Sequence, residues 1–171
     1  LEFGDLLTTL GRYGEAEEKF RRVLELQPAD IGAHRRLATL SIRMGRHDQA
    51  ISELELIRSL DPEDGPTIMH LAGSLLTVRK TREAKALLLE HADFLSLDAD
   101  RDTTVQLCDL LLHAGLPGIA TDILAEAMER HPNDVELLRR MAYARYDGGD
   151  TRGGDRFSRR LIRMNPTLSA T

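Results

Sequence analysis

Three aspartates alternate along one short stretch of the chain, Asp98, Asp100 and Asp102. Carboxylates spaced in this way begin a calcium-binding loop, where they supply oxygen ligands, and Asp109 stands where such a loop places its last ligand. That last position favours a bidentate Glu, however, and Thr103 replaces the glycine that the sharp turn of the loop requires. Because the aspartates directly precede a predicted helix, the sequence favours capping of free helix N–H groups over metal binding.

Cys108 and His113 are the residues that come nearest to a nucleophile and a base. A catalytic thiolate needs a basic, partly exposed setting, whereas Cys108 falls where the chain requires a small core residue. His113, five residues further along a predicted helix, points well round the helix from it. The histidines form no HExxH pair, and the glycines of DGGDTRGGD lack the Lys and Ser/Thr of a phosphate loop. The sequence therefore predicts no enzyme activity, no metal site and no cofactor.

The composition indicates a folded, helical protein. Hydrophobic residues make up 42% of the chain and charged residues 30%, which is sufficient for a packed core. Aromatic residues are only 4%, with no Trp, so the core must be built from aliphatic side chains. Such a core suits closely packed helices better than a sheet, whose strands favour branched and aromatic residues. The single cysteine excludes an internal disulfide. The predicted fold class is all-α.

The apolar runs, the first residues and the charge distribution bear on the solubility of the chain and on its location in the cell. No apolar run is long enough to span a bilayer, and the N-terminus has no basic-plus-apolar signal, so this stretch is expected to be soluble. The compartment is left open, with the cytoplasm favoured. The sequence opens without Met inside an apparent helix, so we expect it to be part of a longer chain. The formal net charge of −5 is unevenly distributed: residues 135–171 carry eight Arg and four acidic residues, and the acidic excess lies before them.

An internal repeat organises the whole sequence. Small residues recur at a step of 34 residues, with one step of 36, at Ala16, Ala50, Ala84, Ala120 and Gly154. Glycines that can end a helix keep the same step, with an arginine in the third slot: Gly11, Gly45, Arg79, Gly115 and Gly149. Prolines follow at Pro28, Pro62, Pro132 and Pro166. Between these marks the apolar residues show helical spacing in two blocks, so each unit is predicted to be a helical hairpin.

A hairpin repeat with this period and punctuation resembles the tetratricopeptide repeat. The first copy matches the consensus of that family best, at Gly4, Gly11, Tyr13, Ala16, Phe20, Leu24 and Pro28. The resemblance covers nearly the whole chain and divides it into five repeats in register, at about 1–30, 31–64, 65–100, 101–134 and 135–168. It implies a single array of about ten helices, wound as a right-handed superhelix.

Two repeats depart from the pattern. The third lacks the turn glycine and the proline and contains two extra residues, so its second helix, from about Arg82, is expected to run on or bend. The fifth has Gly154 in the small slot, Gly148 and Gly149 in the turn, and Ser158 at an apolar position. Because glycine has no side chain to pack, this hairpin is predicted to be the least tightly packed.

A core stripe can be assigned from the helical spacing. In the second repeat it consists of Leu37, Ala38, Ser41, Ala50, Leu54 and Ile57. Its counterparts in the third and fourth repeats are Leu71, Ala72, Leu75, Ala84, Leu88, Leu107, Cys108, Leu111, Ala120, Leu124 and Ala127. We expect these residues to have a structural role.

The resemblance also implies a peptide-binding groove on the first helix of each hairpin. The groove positions fall in the first repeat on Asp5, Thr8 and Thr9, and further along the chain on Arg35, Thr39, Ile42, Arg43, Met69, Gly73, Leu76, Val105, Asp109, Leu112, His113, Arg139, Tyr143 and Tyr146. One position of the groove is apolar in four successive repeats, at Ile42, Leu76, Leu112 and Tyr146. An exposed apolar line of this kind is typical of an interaction surface. It predicts a groove for an extended peptide or an amphipathic helix, anchored in repeats 3 to 5. The alternative is tighter packing between neighbouring first helices.

The predicted function is therefore a non-enzymatic protein-interaction scaffold with a protein or peptide partner. Two alternatives remain: self-association through the ends of the array, and a regulatory role beside a catalytic domain outside this stretch. The arginines of the last repeat are interrupted by acidic residues and lie on both helices, which favours a solvated face or an acidic protein partner over nucleic acid. Helical-repeat RNA-binding proteins, which have a similar period, stay a distant alternative.

Overall fold

The computed structural model describes residues 1–97 and 99–164. These residues form ten α-helices and no strand, so the predicted all-α fold is confirmed. The chain divides into two compact units, Leu1–Leu87 and Leu88–Thr171. The division into five repeats remains a prediction, and its last proline, Pro166, lies outside the described residues.

The first unit contains helices α1 Glu2–Thr9, α2 Tyr13–Leu26, α3 Ile31–Arg43, α4 His47–Leu60 and α5 Gly65–Thr77. Helix α6, Thr81–Ser96, begins in this unit and ends in the next one. The second unit also contains α7 Arg101–His113, α8 Pro117–Arg130, α9 Val135–Asp147 and α10 Thr151–Met164.

In the first unit each of the helices α1 to α5 contacts the next one along the chain. Around Phe20 of α2 a fully buried cluster forms with Leu7, Leu37 and Leu40. The ring of Phe20 lies directly on Gly4, where a Cβ atom would clash with it. The glycine therefore lets α1 approach the aromatic ring on α2.

In the second unit α7, α8, α9 and α10 contact each other in sequence, and α7 also contacts α9 directly. Leu107, Leu111 and Leu124 are fully buried, as is Leu137 from the next hairpin. The direct contact between α7 and α9 places the first helices of two successive hairpins side by side.

The core stripe assigned from helical spacing is confirmed with one exception. All of the predicted core residues are buried apart from Ser41, which is half-buried. Burial of these aliphatic side chains is the main stabilising contribution to the array.

An aspartate begins the first helix of each hairpin from α3 onward. Asp30, Asp64, Asp100 and Asp134 are the N-cap residues of α3, α5, α7 and α9, and each carboxylate accepts a backbone N–H from the first turn at 2.7 to 3.1 Å. These bonds satisfy donors that the helix itself leaves free. The repeat therefore contains a fixed start signal for its first helix.

The turn inside each hairpin has a residue in the left-handed region. Gly11, Gly45, Gly115 and Gly149 have φ angles of 70 to 83°, and Arg79 has φ 63° in the same place. The third hairpin thus retains the turn without the glycine. Because the left-handed conformation is unfavourable for residues with a Cβ atom, Arg79 costs stability at this turn.

The extra residues of the third repeat lengthen its second helix. Helix α6 has 16 residues, whereas α4 and α8 have 14. The predicted extension of this helix is confirmed.

The argument that a glycine leaves this hairpin loosely packed fails at Gly154 itself, while looser packing of the hairpin as a whole stays a prediction. The aromatic ring of Tyr146 on α9 lies on Gly154, and a Cβ atom there would stand 2.6 Å from the ring. The Tyr146 hydroxyl donates to Asp155 on α10 at 2.7 Å. The ring of Tyr146 thus fills the space that a side chain at position 154 would occupy. The sequence argument failed because it considered the glycine without this aromatic neighbour from α9.

Candidate functional site

Two ion pairs with the same spacing connect the first helices of neighbouring hairpins. In the second unit Arg140 on α9 donates from Nε and Nη2 to the two carboxylate oxygens of Asp109 on α7, at 2.9 and 2.8 Å. In the first unit Arg36 on α3 donates from Nε to Asp5 on α1 at 2.7 Å. Each carboxylate raises the pKa of its arginine through these hydrogen bonds. The aspartates predicted as groove residues are thus already engaged within the protein.

A depression of about 310 Å³ lies beside the Asp109–Arg140 pair in the second unit. It is lined by Asp109, Leu112, His113, Arg139, Arg140 and Tyr143. Tyr143 is 60% exposed, and among the described residues its hydroxyl makes no hydrogen bond. Leu112 is half-buried. The depression therefore combines an accessible aromatic ring and an aliphatic side chain with charged walls.

The walls of this depression are held by contacts within the protein. Arg140 also pairs with Glu136, one turn before it on α9. Arg139 donates to the same Glu136 at 2.5 Å but has 63% of its side chain exposed. His113 is exposed, and its Nδ1 lies 2.7 Å from the carbonyl oxygen of Asp109. Arg139 and His113 can thus meet a ligand with little rearrangement, whereas Arg140 is fixed.

A second depression, of about 410 Å³, lies on α1 and α3 in the first unit. Its lining includes Asp5, Thr8, Thr9, Phe20, Arg35, Arg36, Thr39, Leu40 and Arg43. The three threonine hydroxyls donate to backbone carbonyls of their own helices at 2.9 to 3.0 Å. Most of the polar groups on this surface are thus already engaged within the protein.

The remaining predicted groove residues differ in exposure. Ile42, Met69, Gly73, Leu76 and Val105 are half-buried. Tyr146 is 41% exposed, but its ring and hydroxyl are both used in packing against α10. Arg35 pairs with the capping carboxylate of Asp64 at 3.1 Å. Whether these residues form a groove or pack between helices stays a prediction. Among them Tyr143, next to half-buried Leu112, is the most exposed apolar side chain.

Cys108 lies in the core, as its place in the repeat predicts. The thiol is fully buried and points to the carbonyl oxygen of Ala120, 3.8 Å away. Burial raises the pKa of the Cys108 thiol to about 12. Such a group is not ionised near neutral pH, so it has neither the exposure nor the charge of a nucleophile.

The aspartates at the start of α7 serve the helix. Asp100 accepts the backbone N–H of Thr103 at 2.7 Å, and this bond lowers the pKa of the Asp100 carboxyl. The capping predicted for this stretch is therefore confirmed at Asp100, while Asp98 lies outside the described residues. Within residues 1–97 and 99–164, no group of three or more His, Cys, Asp or Glu side chains is arranged to hold a metal ion.

The ion pairs between hairpins were missed at the sequence level. Asp5 and Arg36 are 31 residues apart, as are Asp109 and Arg140. An aspartate and an arginine separated by nearly one repeat length are the signal that would have identified both pairs. It is weak because the second and third repeats place Thr39 and Gly73 at the aspartate position.

None of the helices in the described part of the chain has the length and apolarity needed to cross a membrane.

Comparisons with known proteins agree with this architecture. Residues 7–75 match the family model described as tetratricopeptide repeat. A search of curated proteins found no match. Among solved structures, the fold is similar to that of the MamA protein, with a TM-score of 0.78 at 15% identity over 99% of this chain and 91% of that one.

Two further structures share the fold. YrrB, described as a TPR protein with an unusual peptide-binding site, has a TM-score of 0.77 at 16% identity over 97% of this chain and 84% of that one. A tetratricopeptide repeat protein from Parabacteroides merdae has a TM-score of 0.69 at 13% identity over 95% of this chain and 62% of that one. Residues 7–75 thus match the tetratricopeptide-repeat family, and the chain shares the fold of solved tetratricopeptide-repeat proteins along nearly its whole length.

Proposed function

We propose that this chain is a protein-interaction scaffold without catalysis of its own, which binds an extended peptide or a helical segment on the surface of α7 and α9. The observation that carries the proposal is the exposed ring of Tyr143 next to Leu112, in a depression of about 310 Å³. Accessible aromatic residues in well-defined depressions are the usual anchors of protein-binding surfaces.

The geometry of the depression supports a particular kind of ligand. Leu112 and Tyr143 form an apolar floor that would accept an aliphatic or aromatic side chain. Exposed Arg139 and His113 lie on the rim, where they can donate to a carboxylate or to backbone carbonyls of a bound segment. Arg140, held by Asp109 and Glu136, keeps the two helices in place. We expect a segment with one large apolar anchor and an acidic residue close to it.

The state of Cys108 supports the non-catalytic part of the proposal. Cys108, the one thiol in the sequence, is buried and has its pKa raised to about 12. Similarity to a protein described as having a peptide-binding site is consistent with a binding role for this chain.

The test is a selection of peptides from a displayed random library on the purified chain, followed by fluorescence anisotropy with the selected peptides. Tyr143→Ala and Leu112→Ser should each weaken binding by about tenfold or more, since central apolar anchors dominate such interfaces. Phe94→Ala is the matched control, because Phe94 is 42% exposed but lies on α6. The proposal fails if all three variants bind the selected peptides equally well.

Self-association, the alternative that the sequence leaves open, is tested on the same material. Static light scattering of the isolated chain over a range of concentrations should give the mass of a monomer if the α7–α9 surface serves a separate partner. A mass that rises with concentration, and that Tyr143→Ala returns to the monomer value, would assign this surface to assembly instead.

A further inference from the structure

Helix α10 has a line of arginines on its outer side. Arg152, Arg156, Arg159 and Arg163 are all exposed and occupy the second, sixth, ninth and thirteenth positions of the helix. These positions fall within about 60° of the helix circumference and span about 16 Å along its axis. We call these four residues the arginine stripe.

The opposite side of α10 holds the helix on the protein. Gly154 is buried under the ring of Tyr146, and Phe157 and Leu161, which share that side, are half-buried. The arginine stripe therefore has a fixed support, and the helix cannot turn its apolar side toward a partner without leaving α9.

The stripe is not a requirement of the fold. The same four positions are exposed in the other second helices, where they are acidic, neutral or mixed. They are Gly14, Glu18, Arg21 and Glu25 in α2, Asp48, Ser52, Glu55 and Ser59 in α4, Arg82, Ala86, Leu89 and Asp93 in α6, and Gly118, Asp122, Ala125 and Glu129 in α8. Only in α10, among the described helices, are all four positions cationic.

The arginines of the stripe also lack internal ion-pair partners. Within the described part of the chain, none of the four forms a salt bridge, whereas Arg36, Arg101 and Arg140 each pair with an aspartate. Four aligned like charges repel one another, so a stripe whose arginines form no salt bridge in the described part of the chain is unfavourable for the free protein. Supplying carboxylates from another molecule would remove this repulsion.

We propose that the arginine stripe is a docking surface for an acidic helix of a partner protein. A depression of about 330 Å³ lies along the stripe, lined by Arg152, Asp155, Arg156, Arg159 and Arg163. Carboxylates spaced three or four residues apart on a partner helix form a line with the same spacing as the arginines. Arginine can bind a carboxylate with two hydrogen bonds, so the contact has a defined orientation in addition to its charge attraction.

A carboxylate partner fits this surface better than a nucleic acid does. Proteins that bind single strands through a basic groove usually add aromatic side chains for the bases, and the lining of this depression contains none. Asp155 also stands beside the arginines, fixed by the hydroxyl of Tyr146 at 2.7 Å. A partner helix can have an uncharged residue opposite Asp155. A nucleic acid has a negative phosphate at every nucleotide and would be repelled by that carboxylate. This surface is separate from the one on α7 and α9, so the inference does not depend on the proposed function.

The experiment uses the whole chain and a synthetic helical peptide of about 15 residues with glutamates at i, i+4, i+7 and i+11. Fluorescence anisotropy compares it with a peptide that has glutamine at those positions and with a single-stranded oligonucleotide. The acidic peptide should bind, and Arg156→Gln with Arg159→Gln should weaken binding about tenfold, because two exposed charge contacts are lost. Raising the salt concentration should weaken it further.

The control is Arg82→Gln with Arg130→Gln, which changes the net charge equally at exposed positions on α6 and α8 and should leave binding within about twofold. Arg156→Lys with Arg159→Lys, which retains charge and helix, should weaken binding less than the glutamine pair does. Circular dichroism verifies that each variant is folded. The inference is wrong if the acidic peptide does not bind the folded wild-type chain, if both glutamine pairs weaken binding equally, or if the oligonucleotide binds more tightly through the same arginines.

Discussion

Arg140 on α9 holds both carboxylate oxygens of Asp109 on α7, at 2.9 and 2.8 Å, and so fixes the spacing of the two helices that frame the depression around Tyr143. The arginine side chain is 20% exposed and the aspartate 41%, so the pair lies at the edge of the protein. This ion pair should stabilise the protein more than a fully solvated pair does, because the planar guanidinium makes two parallel hydrogen bonds to one carboxylate.

A double-mutant cycle measures that contribution. Asp109→Ala, Arg140→Ala and the double variant should give a coupling free energy of about 1 kcal/mol in urea unfolding. The same cycle on Arg22 and Glu25, which are 72% and 59% exposed on α2, should give a smaller value. Equal coupling in the two cycles would show that the Asp109–Arg140 pair has no special role in joining α7 to α9.

Replacing Arg79 with glycine should stabilise the first unit. Arg79 has φ 63° at a turn where the other hairpins have glycine. Arg79→Gly should raise the free energy of unfolding by about 1 kcal/mol, because the strain of the left-handed conformation exceeds the entropy that glycine adds to the unfolded chain. Lys85→Gly on the exposed side of α6 is the control and should lower it by about 1 kcal/mol. Two changes of the same sign would contradict the prediction.

Adding a methyl group at Gly154 should destabilise the last hairpin. The new Cβ atom would stand 2.6 Å from the ring of Tyr146, so Gly154→Ala should cost about 1–3 kcal/mol. Gly118→Ala on α8, where nothing lies within 4 Å of the added atom, should be neutral or stabilising. Combining Gly154→Ala with Tyr146→Ala should cost less than the sum of the single changes, because the clash is removed. Strict additivity in thermal unfolding would argue against this packing.

The cap of α9 should make stability depend on pH. Hydrogen bonding to Arg101, at 2.6 Å, lowers the pKa of the Asp134 carboxyl. A carboxyl whose pKa is lower in the folded than in the unfolded protein stabilises the fold at pH values above its unfolded pKa of about 4. This contribution is lost as the pH falls through the pKa of the folded state. Asp134→Asn retains a capping oxygen but removes the charge.

Unfolding of the wild type and of Asp134→Asn should therefore be compared from pH 7 down to about pH 3. The wild type should be more stable at neutral pH, and the difference should shrink as the pH falls below about 4. Asp30→Asn, at the equivalent cap of α3, is the matched control for the loss of a capping charge. A difference that is constant with pH would exclude the Asp134–Arg101 interaction as its source.

The thiol of Cys108 should be inert in the folded protein. With a pKa of about 12, its thiolate fraction at pH 8 is lower than that of a free cysteine by about three orders of magnitude. Alkylation by iodoacetamide should accordingly be slow in buffer and fast in denaturant, and the native rate should follow the unfolding equilibrium. Rapid stoichiometric labelling of the native protein would contradict the burial of this side chain.

Much of this fold could be predicted from the sequence because the same residue types recur at nearly constant intervals along the chain. The spacing of small residues and turn glycines predicted the helical hairpins, and nearly all of the residues that apolar spacing assigned to the core are buried. Gly154 was misinterpreted because its meaning depends on Tyr146 in another helix, a contact that no local pattern contains. The site was harder to predict for the same reason. Asp109 occupies a groove position in the sequence, and only the structure reveals that Arg140 already binds it.

The capping aspartates have a consequence for how the array unfolds. Asp64 caps α5 while pairing with Arg35 of the preceding hairpin, and Asp134 caps α9 while pairing with Arg101 of the one before it. One carboxylate thus serves two neighbouring hairpins. If either hairpin unfolds, the other loses the hydrogen bond or ion pair that this carboxylate supplies to it. The stability of a repeat protein is approximately the sum of the stabilities of its repeats and of the interaction energies between neighbouring repeats. These aspartates contribute to the interaction energy, so they favour the unfolding of adjacent hairpins together.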